Sequence, residues 1–181
     1  MDLRIERTKR NIINAFLELR AKKPLEKITI KELAELAMIN KATFYSHYSD
    51  IYDLSEQLET EVIATVIKAM PFPNDLITKP REGTRDLFLA LSSQKTLLDI
   101  LFSDSRAPAL VQKLEAGLKE EFFTQYPERK GDLEWEILLS LLIQGGSHVF
   151  VTFAKEENTV QVCEIIGNIN ECLISQKTVE K

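Results

Sequence analysis

Between residues 28 and 48 the chain carries two helix-start signals eleven residues apart, and that spacing constrains the local fold more than any other feature. Thr29 and Glu32 form a T-x-x-E pattern, in which the hydroxyl accepts from the amide three residues on while the carboxylate reaches back to the cap amide. Ile28 and Leu33 stand at the positions of a hydrophobic staple, and Leu33, Ala34, Leu36 and Ala37 make a short apolar face. "MIN" then intervenes. Asn40 is a good N-cap, and Ile39 with Phe44 repeats the staple spacing. The second helix, over residues 41–48, is barely two turns long, and Ser49 or Asp50 caps a long one ending near Met70. Two short capped helices three residues apart predict a helix-turn-helix.

Helical periodicity runs through nearly all of the remainder, and no alternating run bounded by turns suggests a strand, so the expected fold class is all-α. In "TKRNIINAFLELRAKK" the residues Ile12, Ile13, Phe16, Leu17 and Leu19 line one side, and Pro24 stops the helix. "PFPNDLITKPREG" reads as a loop. "TRDLFLALSSQKTLLDILFSD" reads as two helices or one broken one, followed by a helix ended by Pro127 and two long, strongly apolar helices. The expected division is residues 1–50 as a three-helix domain carrying the helix-turn-helix and 51–181 as a second, larger helical domain.

Charge supports that division. The net charge is -5, yet residues 1–48 hold ten basic against six acidic side chains, leaving thirteen against twenty-two elsewhere. A basic quarter on an acidic body suits a module that faces an anion. No apolar run reads as long enough to span a membrane, and "MDLRIERTKR" has no signal-like core, so a cytoplasmic protein without a membrane partner is expected. Cys163 and Cys172 read as plain buried thiols.

The segment "NKATFYSHYSD" gives the second short helix its chemistry. At about 100° per residue, Phe44 and Tyr48 fall together, Ser46 lies nearly opposite with Ala42 and Thr43 beside it, and Tyr45 and His47 flank the edges. A helix anchored on one side and polar on the other is what the DNA major groove admits. Ala42 and Ser46 are small enough to let the backbone approach base edges. Thr43 offers a hydroxyl or a methyl to a base. Lys41, Tyr45 and His47 suit phosphate contacts, which position without specifying, and Asn40 at the helix start is expected among the DNA-binding residues with them. Thr29, Lys31 and the amides of the preceding helix offer a further phosphate site, and Arg4, Arg7, Lys9 and Arg10 add to the electrostatic attraction.

The stretch "ITIKELAELAMINKATFYSHYSDIYDL", with the amphipathic helix before it, resembles the TetR family of transcriptional regulators. Thr29, Leu33, Ala34 and Ala37 match the first half of the family pattern, and Thr43, Phe44, Tyr45 and His47 the second. Asn40 stands where serine is usual, and Tyr48 replaces a final phenylalanine. The likeness covers roughly residues 7–55. Met38 occupies the place of the usual turn glycine, and Ile51 that of a phosphate-binding lysine.

The resemblance implies a homodimer on a palindromic operator, double-stranded DNA being the partner, and a repressor released by a small-molecule effector. The last two helices are apolar on more than one face, which demands burial on more than one side, and Trp135, Leu139, Leu142, Gly146, Phe150, Ile165 and Ile169 are expected at the dimer interface. Phe88, Leu91, Leu98, Leu101, Phe102, Leu114 and Phe122 are expected to line the effector pocket, a largely apolar one. The alternative is a family-like protein acting mainly through a partner protein. No enzyme, cofactor or metal site is expected: the two histidines, His47 and His148, fall in no catalytic or metal-ligand spacing, and His148 reads as a core or interface residue.

Overall fold

The fold is described from a computed structural model over residues 3–178. Among the described residues all regular structure is helical, with no strand, and the chain forms two compact units.

The first unit takes the described residues up to Glu61 together with Thr96–Pro108. Helix α1 (Leu3–Arg20) buries Ile12, Ala15, Phe16 and Leu19, at the spacing of one helical face. A 3-10 turn (Leu25–Lys27) leads to α2 (Ile30–Leu36) and α3 (Lys41–Tyr45), and the first turns of α4 (Ile51–Ala69) bury Ile51, Leu54 and Leu58. Helix α7 (Lys95–Leu101) adds Leu98, Leu101 and the following Phe102 to this unit's core.

The expected boundary at residue 50 therefore falls inside a compact body, and charged groups explain why. The buried Arg20 guanidinium donates to the Ser103 carbonyl (2.9 Å) and to the Asp104 carboxylate (3.2 Å). Arg106 donates through Nε to the fully buried Glu59 (2.9 Å) and through its terminal nitrogen to Glu56 (3.1 Å), while the Ser55 hydroxyl donates to Glu59 (2.8 Å). Ser105 bonds Glu26. A buried carboxylate is tolerated only when paired and hydrogen-bonded, so residues 103–106 are held to α1 and α4.

The second unit begins at Val62 in α4 and includes α5 (Asp75–Thr78), α6 (Pro80–Ser93), α8 (Ala107–Gln125) from Ala109, α9 (Leu133–Ser140), a π-helical turn (Leu141–Gly145), α10 (Gly146–Phe153) and α11 (Thr159–Thr178). The stretch "PFPNDLITKPREG" is not a plain loop. Pro80 starts α6 at a position where its missing N–H is no loss, and α5 packs so closely on α6 that a Cβ at Gly83 would sit 2.2 Å from the Leu76 nitrogen. Helices α6 and α11 pack along their length, with the Asn170 amide donating to the Thr84 hydroxyl at 3.2 Å. Lys119 on α8 bridges Glu115 and Glu136 (2.9 and 3.0 Å) and donates to the Ser140 hydroxyl (2.8 Å), which ties α8 to α9.

One expectation is narrowed here. The continuous helical run Leu133–Phe153 is long and apolar enough, by length and composition, to cross a membrane, a property that core helices share. Its inward residues Leu139, Leu142 and Ile143 are core, whereas Leu133, Ile137 and Leu141 are exposed. The thiols also differ from expectation. Cys163 is buried, and that burial pushes its pKa up, but Cys172 is exposed. His148 is exposed rather than packed.

Candidate nucleic-acid interface and cavity

The first short helix starts as its sequence dictates, though with half of the expected reciprocal cap. Thr29 Oγ1 accepts from the Glu32 amide at 3.3 Å, but the Glu32 carboxylate pairs with Lys23 instead of returning to the cap. The helix ends in a Schellman motif: the Ile39 amide donates to the Ala34 carbonyl (3.0 Å) and the Met38 amide to the Glu35 carbonyl (3.2 Å). This places Met38 in the left-handed region, at φ 57°, with its side chain 90% exposed.

The second helix starts tightly. Asn40 Oδ1 accepts from both the Thr43 amide (2.7 Å) and the Thr43 hydroxyl (2.9 Å), so its carbonyl oxygen is consumed in capping. Regular α-structure stops at Tyr45, sooner than the two turns expected, yet the Tyr48 amide still donates to the Phe44 carbonyl at 3.0 Å. That bond keeps the two rings on one side, tilted 39° to each other. Phe44 is fully buried, Tyr48 nearly so, and their centroids lie 5.8 Å apart. Burial, then the charges of Glu61 and Asp53, raise the Tyr48 pKa.

On the opposite side Lys41, Ala42, Tyr45 and Ser46 are exposed, and Thr43 and His47 are half-buried. Tyr45 stands edge-on to Phe44 (82°, 5.7 Å), which restricts its ring while the residue stays exposed. The Ser46 hydroxyl donates to the Thr43 carbonyl at 2.7 Å. With both hydroxyl protons committed inside the helix, Thr43 and Ser46 present lone pairs and a methyl group. They can accept from a base amino group or meet a thymine methyl. Thr29 and Lys31 are exposed beside this face, and Lys31 lies 4.0 Å from Glu35. Arg4, Arg7, Lys9 and Arg10 are exposed on α1.

The start of α4 has a different character. Ile51 is buried. Asp50 accepts from the Asp53 amide and Asp53 from the Ser49 amide, each at 2.8 Å. Hydrogen bonds from Gln57 and Ser49 hold the Asp53 carboxyl below its ordinary pKa. Two carboxylates and an anchored isoleucine thus occupy the spot where the family resemblance would place a phosphate-binding lysine.

The second unit has a partly open cavity of about 30 Å³, lined by residues that include Phe88, Phe122, Leu118, Leu139, Thr84 and Asn170. Of the expected pocket residues, Phe88 and Phe122 line it. Leu114 is buried elsewhere in the unit, and Leu91 packs on the cluster of Phe88, Val162, Cys163 and Ile166. Leu98, Leu101 and Phe102 are corrected: they are core of the first unit, because the segment carrying them is tied to α1 and α4. Thr84, Ser147 and Asn170 were missed, since nothing in a helical pattern separates a buried polar cavity residue from a solvated one.

The expected interface residues also divide. Leu139 and Leu142 face inward and line the cavity. Trp135 is half-buried over Phe122, with centroids 5.0 Å apart, and Phe150 stacks on Phe88 at 4.0 Å. A Cβ at Gly146 would meet Ile166 Cγ2 at 3.3 Å, so this glycine serves the α10–α11 crossing within the chain. Ile165 and Ile169 are exposed. With Leu173 they form one apolar stripe on α11, as Leu133, Ile137 and Leu141 form another along α9 and the π turn.

Among known proteins, the chain is similar to one from Bacillus subtilis (strain 168) described as the uncharacterized HTH-type transcriptional regulator YxbF, with 25% identity over 129 residues. The match covers 69% of this chain and 34% of that protein, so the chain spans about a third of its length. No family model matches the chain. No solved structure matches it either.

Proposed function

We propose that this chain is a sequence-specific, DNA-binding transcriptional regulator of the TetR type, a homodimeric repressor released by a small molecule. The observation that carries the reading is the second short helix: two buried rings anchor it, and Lys41, Ala42, Tyr45 and Ser46 project from its free side. The printed description of the Bacillus subtilis relative supports the same class. Lys41, Tyr45 and His47 take phosphates, Ala42, Thr43 and Ser46 approach base edges, and Thr29 and Lys31 hold the backbone beside them. Asn40 acts as a cap. The basic side chains of α1 replace the phosphate contact that Ile51 and its acidic neighbours withhold.

Dimerisation through the two exposed apolar stripes supplies the second recognition helix. Contiguous exposed apolar surface of this kind marks an interaction site, and a two-fold dimer matches a palindromic operator. The test is fluorescence anisotropy of the full chain on duplex DNA from upstream of its own gene. Binding is expected to fall steeply with salt as counterions are released. Lys41→Ala and Tyr45→Ala should weaken all sequences alike, and Thr43→Ala should relax selectivity at one position. Binding unchanged in all three variants refutes the assigned face. Co-purification with a non-DNA partner and no promoter retention would support the partner-protein alternative, and recovery of the chain in membranes would assign the apolar stripes to lipid.

A further inference from the structure

The cavity wall is mostly apolar, and of the polar residues in it (Asn74, Thr84, Glu121, Ser147 and Asn170) only Thr84 and Asn170 are buried. Thr84 and Asn170 are both more than nine-tenths buried, and the Asn170 amide donates to Thr84 Oγ1 at 3.2 Å. Among the described residues no group donates to Asn170 Oδ1 and none accepts the Thr84 hydroxyl proton, and both residues line the cavity. An acceptor and a donor therefore sit side by side with unused capacity. No lysine, arginine or histidine lines the space, and the one carboxylate, Glu121, is exposed.

We infer that this cavity admits an uncharged effector, a compact apolar body bearing a single hydrogen-bonding head such as an amide or a phenol, with the head seated on Thr84 and Asn170. The inference rests on the proposed reading of the second unit as effector-binding and names the chemistry of that site. An anion would lose its hydration without meeting a cation. A cation would meet only a water-screened carboxylate. A hydrocarbon would leave the Asn170 side-chain oxygen and the Thr84 hydroxyl proton without a partner, which lowers affinity roughly tenfold or more.

About 30 Å³ holds one water molecule, so a ring enters only by displacing part of the wall. The wall has places that can yield. Leu142 and Ile143 belong to the π-helical turn, and a Cβ at Gly145 in the same turn would meet nothing within 4 Å. Phe88 is covered by the half-buried Phe150 ring at 4.0 Å. Ligand entry that moves the π turn or this ring pair changes the second unit, which is what an effector must do to shift an equilibrium.

The test is thermal melting of the full chain, without DNA, in benzamide, phenol, toluene, benzoate or benzylammonium at about 10 mM each, where a millimolar ligand gives a resolvable upward shift. Benzamide and phenol should raise the melting temperature more than toluene, and the two ions should not raise it. Asn170→Leu should erase the advantage of benzamide over toluene, and Thr84→Val should reduce that of phenol. Stabilisation by either ion equal to that by benzamide, or no stabilisation by any compound, overturns the inference. If neither variant folds, the ranking in the unaltered chain still decides. Promoter binding is measured separately without any compound, so a failure of the DNA-binding reading is distinguishable from a failure here.

Discussion

Replacing Met38 by glycine should stabilise the protein. Met38 ends α2 with a φ of 57°, a conformation that the Schellman hydrogen bonds from Ile39 and Met38 impose. A side chain in the left-handed region costs about 1–2 kcal/mol. The methionine recovers little of this through packing, because it is 90% exposed. Glycine removes the strain but gives back about 0.4–1 kcal/mol through the larger freedom of its unfolded chain. The net expectation is a gain of about 1 kcal/mol, which for a chain of this size raises the melting temperature by about 2–4 °C. Differential scanning calorimetry measures that shift, and slower hydrogen exchange of the Ile39 amide would locate it. Met38→Ala is the control: it removes the same exposed side chain and keeps the strained backbone, so its melting temperature should stay within about 1 °C of the original. Destabilisation by Met38→Gly, or equal stabilisation by Met38→Ala, would refute the strain argument.

Phe44→Ala should cost about 3–5 kcal/mol, read by chemical denaturation, because the ring is fully buried beneath the exposed polar side of the second short helix. Ile51→Lys, which restores the residue type the TetR resemblance leads one to expect, should lose at least about 2 kcal/mol in the same assay, since it exchanges a buried apolar anchor for a charged side chain. If the exposed α11 stripe seats a second copy, as proposed, Ile169→Lys should halve the mass seen by light scattering, because a two-fold interface meets the added charge twice, while leaving the helical content unchanged. For Glu115, burial raises the pKa, but hydrogen bonds from Ser140, Gln144 and Lys119 overcome it and bring the value from 4.5 down to about 2. A depressed carboxylate contributes stability above its unfolded pKa and loses it as pH falls through the folded value. Stability should therefore decline between about pH 4.5 and pH 2, and Glu115→Gln should flatten that decline.

The helix-turn-helix was legible in the sequence because its information is local. Thr29 and Asn40 cap the amides three residues on, and Phe44 and Tyr48 share a face through backbone geometry alone. The polar set from Lys41 to His47 could be placed on the other side before any tertiary contact was known. Met38 was visible as an unusual turn residue for the same reason, and the backbone there keeps the left-handed conformation, at φ 57°.

Tertiary structure alone decided which apolar residues face which neighbour. Leu139 and Ile137 lie two residues apart and look alike in a hydropathy pattern, yet one lines the cavity and the other faces solvent. Leu98, Leu101 and Phe102 read as effector-pocket residues until Arg20 and Arg106 tied the adjoining segment to α1 and α4. Thr84 and Asn170 lie 86 residues apart. Caps and helical faces are set by neighbours along the chain and survive in any fold. Cavities, interfaces and buried ion pairs are set by residues that only the folded chain brings together.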